Sequence, residues 1–67
     1  MQYLNEIARQ IKKRRKLLGI NQDALAEISG VSVRSLKAIE TGKGNPSIEQ
    51  LSKILDALGL KINIGVK

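Results

Sequence analysis

Twenty residues, Asn21 to Glu40 (NQDALAEISGVSVRSLKAIE), constrain this chain more than any other stretch, because they specify two short helices and the turn between them. Asn21 offers an N-cap oxygen to a first helix, Gly30 breaks that helix, and Ser32 caps a second. Counted from Gln22, Ala26 is the fifth position, Gly30 the ninth, Ser32 the eleventh, Leu36 the fifteenth and Ile39 the eighteenth. Two helices crossing near a right angle leave room at the fifth position for little more than a methyl group, and the ninth needs a backbone that can turn sharply. Leu36 and Ile39 anchor the second helix on a core. Its outer face is thereby left free.

The rest of the chain reads as support for that pair. Leu4, Ile7, Ala8, Ile11 and Leu18 recur at helical spacing and predict a helix over about 4–18, ended by Gly19. At about 100° per residue, Arg9, Lys12, Lys13 and Lys16 fall opposite this stripe and Arg15 falls inside it. An arginine on a core-facing arc needs a partner, because an unpaired buried charge costs several kcal/mol. The central pair should occupy about 22–29, with Leu25, Ala26 and Ile28 inward, and about 33–41, with Val31 filling the turn. Gly42, Gly44 and Pro46 then make an exposed loop. Ser47 followed by Gln50 is a capping box, and Ile48, Leu51, Ile54, Leu55 and Leu58 give a fourth helix over about 48–58 one apolar face, stopped by Gly59.

The tail changes period. Leu60, Ile62, Ile64 and Val66 alternate with Lys61, Asn63, Gly65 and Lys67, which predicts a half-buried strand over about 60–66. No other segment reads as a strand. Pairing with a second copy is therefore expected, with Leu60, Ile62, Ile64 and Val66 as the dimerisation residues. The whole chain, 1–67, reads as one small domain.

Composition removes several functions. With no cysteine and no histidine, the usual zinc ligands and the commonest general base are missing, so neither catalytic residues, nor a metal site, nor a cofactor is expected. Asp23 and Glu27, at i and i+4, read as surface solvation rather than a carboxylate site. The net charge of +6 favours a polyanionic partner. It is concentrated: residues 1–16 hold six bases and one acid, whereas residues 17–67 hold six bases and five acids. No apolar run approaches the roughly 20 residues of a membrane span, and no signal-peptide h-region opens the chain. A cytoplasmic protein without a membrane partner is the expectation. RNA readers stack bases on aromatics, and Tyr3 is the one aromatic here.

Gln22, Ala26, Gly30, Val31, Ser32, Leu36, Ile39 and Glu40, followed by Gly42, resemble the phage-repressor and Cro-like helix-turn-helix family, the Xre-type regulators. The resemblance extends over about Ile7 to Leu60. It implies an all-α, compact four- to five-helix, lambda-repressor-like domain whose third helix enters the major groove of double-stranded DNA. By position, the base readers would be Ser32, Val33, Arg34, Ser35 and Lys37. Arg34 can grip the O6 and N7 of guanine in bidentate fashion, and Val33 offers apolar surface to a thymine methyl. Asn21, Gln22, Lys43 and Asn45 would contact phosphates, Gln22 also bracing the start of the recognition helix. The family pairs the glutamate at Glu40 with an arginine of the first helix, which implies an ion pair between Arg15 and Glu40. Ser29 departs from the pattern, since a larger aliphatic residue is common there, and shifts packing toward Ile28.

The resemblance implies a sequence-specific transcriptional regulator, a repressor acting as a homodimer on an inverted repeat, associated with the nucleoid. The short body and apolar tail are also similar to HipB-like antitoxins. That likeness implies an alternative in which the protein neutralises a cognate toxin or other regulatory protein and binds DNA to control its own expression.

Overall fold

The computed structural model describes residues 2–61. Four helices follow one another: α1 (Gln2–Leu17), α2 (Gln22–Ser29), α3 (Val33–Glu40) and α4 (Ile48–Ala57). Among the described residues there is no strand. The tail assigned to a strand lies outside them, apart from Leu60 and Lys61, which belong to neither helix nor strand.

α2, α3 and α4 each start where a side chain accepts an orphan N–H. Asn21 Oδ1 accepts from Ala24 N–H at 2.8 Å, Ser32 Oγ from Ser35 N–H at 3.1 Å and Ser47 Oγ from Gln50 N–H at 3.0 Å. Gln50 completes the capping box by accepting from Ser47 N–H. Three helices end in the same way. Ile20 N–H donates to Arg15 O (3.2 Å), Lys43 N–H to Ala38 O (2.9 Å) and Leu60 N–H to Leu55 O (2.8 Å), the six-to-one closure of a Schellman motif. Leu60, expected at a dimer contact, thus closes α4 and packs beside the core of its own chain. Gly30 ends α2 differently, at φ 77, with its N–H on Ala26 O. That left-handed conformation strains any L side chain, so the turn between α2 and α3 depends on glycine.

The core draws on every helix. Ile11, Leu25, Leu36, Ile54 and Leu58 are essentially inaccessible to solvent, and Ala26, Val31, Ile39, Leu51 and Leu55 complete the cluster. Truncating one of the five to alanine costs about 2–5 kcal/mol, a large fraction of what a domain this small possesses. α1 packs on α3, and α2 on both α3 and α4.

Three apolar residues assigned inward face solvent instead: Leu18 is 46% exposed, Ile28 62% and Ile48 71%. The causes are local. The inward face of α2 is the heptad-like set Gln22, Leu25, Ala26 and Ser29, which leaves Ile28 at the rim. Ile48 sits one turn before the buried row Leu51, Ile54, Leu55 and Leu58 begins. Leu18 lies in the closing turn of α1, and Ile20, beyond Gly19, packs against the core in its place. Ser29 compensates for its small size with hydrogen bonds rather than by shifting packing to Ile28. Its Oγ donates to Ala26 O and accepts from Val31 N–H, both at 3.3 Å, which staples the turn.

Candidate nucleic-acid interface

α3 is eight residues long and is held by one side only. Leu36, Ile39 and Glu40 are buried beneath it, while Arg34 and Lys37 are exposed on the other side. Glu40 is the single acid of α3 and points inward, so the outer face carries guanidinium, ammonium and hydroxyl groups with no carboxylate among them. Such a face repels cations and accommodates an anionic surface.

What turns Glu40 inward is an ion pair with α1. Arg15 Nε donates to Glu40 Oε2 at 2.8 Å and Nη2 donates to Oε1 at 2.9 Å, a two-pronged contact between side chains only 10% and 2% exposed. Arg15 Nη1 donates to Ile20 O at 3.0 Å. The hydrogen bonds to Glu40 raise the arginine's pKa; burial works against them and the opposite charge adds to the rise. No buried side-chain nitrogen or oxygen among the described residues lacks a partner, which is the condition for a buried charge pair to be tolerated.

Gln22 joins this pair. Its Nε2 donates to Glu40 Oε1 at 3.2 Å, so the first residue of α2 is fastened to the last residue of α3. The bracing expected at the start of α3 falls at its end. The start is capped by Ser32, whose Oγ also donates to Ser35 Oγ at 3.0 Å.

The remaining assigned residues separate by exposure. Asn21, Ser32, Arg34, Lys37, Lys43 and Asn45 are exposed, whereas Gln22, Val33 and Ser35 are half-buried. Val33 packs against the core, which consumes much of the apolar surface assigned to reading a thymine methyl. Asn21 spends its side-chain oxygen on the α2 cap and keeps the amide donors for a ligand. Lys43 and Asn45 stand on the loop after α3, beside Ser35.

Two roles were not visible in the pattern. Arg14, within the basic run, donates from Nε to Leu58 O at 3.0 Å and satisfies a carbonyl that the end of α4 leaves open. Gln50 lines the groove beside α3 as well as capping α4. The capping box marked Gln50 as a helix residue, but no sequence signal placed it next to Lys43. Among the described residues no group of three or more acidic residues could hold a metal, and no helix is long and apolar enough to cross a membrane.

Two short helices at a tight glycine turn, the second pinned from beneath and bare of acids outside, define a helix-turn-helix domain. The chain belongs to the Xre/Cro-like helix-turn-helix family, whose profile matches residues 11–64. Over 58 residues it is 36% identical to the cryptic phage CTXphi transcriptional repressor RstR of Vibrio cholerae, a match covering 87% of this chain and 52% of that protein. An HTH-type transcriptional regulator of Haemophilus influenzae is 42% identical over 50 residues, 75% of this chain and 51% of the relative. One from Methanothermobacter thermautotrophicus is 41% identical over 49 residues, 73% and 71% respectively. The chain spans about half the length of the first two relatives. In three dimensions the fold is similar to that of the restriction-modification controller protein C.AhdI from Aeromonas hydrophila. The TM-score is 0.82 at 24% identity, covering 91% of this chain and 92% of that one, a likeness of fold.

Proposed function

We propose that this chain binds double-stranded DNA in a sequence-specific manner and acts as a transcriptional repressor, with α3 in the major groove. The observation that carries the reading is the division of α3: its one acid is buried against Arg15, and the side turned to solvent presents Arg34 and Lys37. The repressor named among its relatives supports the same reading. Arg34 reads guanine through its two parallel donors, with Lys37, Ser32 and Ser35 beside it. Asn21, Gln22, Lys43 and Asn45 contact phosphates and set register without carrying sequence information. Gln22 keeps one amide proton for a phosphate while the other rests on Glu40.

The repressor acts as a homodimer on an inverted repeat, two α3 helices lying about 34 Å apart, one turn of DNA. The alternation of Ile62, Ile64 and Val66 supports pairing through the tail.

Selection of bound sites from random duplex DNA tests the reading. Wild type should enrich a motif containing guanine. Arg34→Ala should weaken binding to that motif by about 1–3 kcal/mol and lose the preference at one position. A wild type that enriches nothing sinks the proposal, and an Arg34→Ala variant that enriches the same motif equally well removes Arg34 from the reading face.

A further inference from the structure

The side of α3 turned to solvent is unbalanced in its hydrogen-bonding groups. Every side-chain oxygen between Ser32 and Thr41 already has a partner inside the chain. Ser32 Oγ accepts from Ser35 N–H at 3.1 Å and donates to Ser35 Oγ at 3.0 Å, so the two hydroxyls are turned onto each other at the first turn. Glu40 commits both carboxylate oxygens to Arg15, and one of them also accepts from Gln22. Thr41 Oγ1 donates to Lys37 O at 3.2 Å and to Ala38 O at 2.9 Å. The amides of Gln22 and Asn45 belong to the start of α2 and to the loop after α3, not to this face. Arg34 and Lys37 are exposed, and neither takes part in the ion pairs among the described residues. Both can only donate.

A face of donors distinguishes bases by what it leaves unsatisfied. In the major groove guanine shows two acceptors, N7 and O6, whereas adenine sets an amino donor beside its N7 and cytosine shows an amino donor alone. A guanidinium or ammonium placed against an amino group leaves two donors face to face, and an unpaired buried donor costs more than a bond merely absent. Lys37 follows Arg34 by three residues, about 4.5 Å along the helix axis. Base pairs are stacked about 3.4 Å apart. The two side chains therefore address pairs one or two steps apart.

We infer that the sequence α3 reads is specified by two guanines one or two steps apart, one met by Arg34 and the other by Lys37, and that no adenine or cytosine amino group is read. The inference rests on the DNA-binding reading and deepens it by naming the class of sequence bound. Lys37 is then a specificity-determining residue and not a supplementary charge. A·T pairs enter the site through the shape and deformability of the duplex, which need no acceptor from the protein.

Duplexes carrying single-atom changes test this. In the site selected by wild type, 7-deazaguanine, which lacks N7, should lower affinity at least about fivefold at two positions one or two steps apart. Purine in place of adenine removes the amino group and should leave affinity within about twofold at every position. Lys37→Gln supplies the missing acceptor. Lys37 is exposed and glutamine is an equally good helix former, so the thermal midpoint should match that of wild type. Repeated selection should then change one of the two guanines to adenine, whose N7 and N6 suit an amide, and keep the other. A selected motif with fewer than two such guanines overturns this inference while leaving sequence-specific binding intact. So does an adenine whose amino group is worth about tenfold, or a Lys37→Gln variant that keeps both guanines. A wild type that enriches no motif overturns both readings.

Discussion

Truncating Glu40 to alanine tests the physical centre of this fold. The carboxylate accepts hydrogen bonds at 2.8 and 2.9 Å from Arg15 and at 3.2 Å from Gln22, and its side chain is 2% exposed. Glu40→Ala removes all three bonds and leaves a guanidinium 10% exposed with a backbone carbonyl, Ile20 O, as its remaining partner. Breaking a buried pair from one side costs about 3–5 kcal/mol. A domain of 67 residues has a total stability of roughly 3–10 kcal/mol, so the variant retains little or none. At about 4–8 °C per kcal/mol for a domain of this size, even the lower cost moves the thermal midpoint down by ~12–24 °C. Circular dichroism during heating, repeated in urea, measures it. The same argument makes a second, opposite demand. Arg15→Met combined with Glu40→Leu removes both charges together, so the double variant should recover most of the lost stability. A single variant that melts within about 3 °C of wild type, or a double variant no more stable than the single one, would refute the reasoning.

Two further outcomes follow from the geometry. Gly30→Ala should cost about 1–2 kcal/mol through the backbone alone, since φ is 77 and nothing lies within 4 Å of the added methyl, and Gly30→Asn should cost less; denaturant titration of the two variants compares them. Stability should also be nearly independent of pH between 6 and 9. Arg15 has its pKa raised in the fold, so the stability it contributes is fully present below the ordinary arginine range and is lost only as pH rises through the raised value, far above this window. With no histidine or cysteine to titrate, the melting temperature should stay within about 3 °C across that window. A scanning series in buffers of matched ionic strength checks it.

Much of this fold is legible because its punctuation is local. Asn21, Ser32 and Ser47 cap helices through bonds to residues three positions on, and Gly19, Gly30, Gly42 and Gly59 end them, so each boundary is written within a few residues of where it falls. What was illegible depends on which neighbour stands opposite. Ile28 and Ser29 are adjacent, and residue type favours burying the isoleucine, but the rotation of α2 set by Gln22, Leu25 and Ala26 buries more of the serine. Ile48 and Leu18 sit at helix ends, where a periodic stripe continues past the partner that would cover it. The groove residue Gln50 is 15 positions from Ser35, and its proximity is a product of the loop path rather than of any motif.

The basic first helix shows why a count of charges differs from a field. Residues 1–16 hold six bases and one acid, which by number makes α1 the obvious surface for a polyanion. The fold withdraws two of the six: Arg15 is buried on Glu40, and Arg14 is turned onto the carbonyl end of α4. Arg9 is partly offset by Glu6 at 3.2 Å. Lys12, Lys13 and Lys16 remain exposed, and they lie away from the face that packs on the core. α3, with two bases, has far less charge but holds it on a helix fixed at both ends, by Ser32 at one and by Glu40, Arg15 and Gln22 at the other. Attraction over long range needs only charge, and the three lysines supply it. Discrimination between bases needs donors held in place. On that ground the base reading proposed for this chain falls to α3, and the most basic helix serves chiefly to hold α3 in place through Arg15.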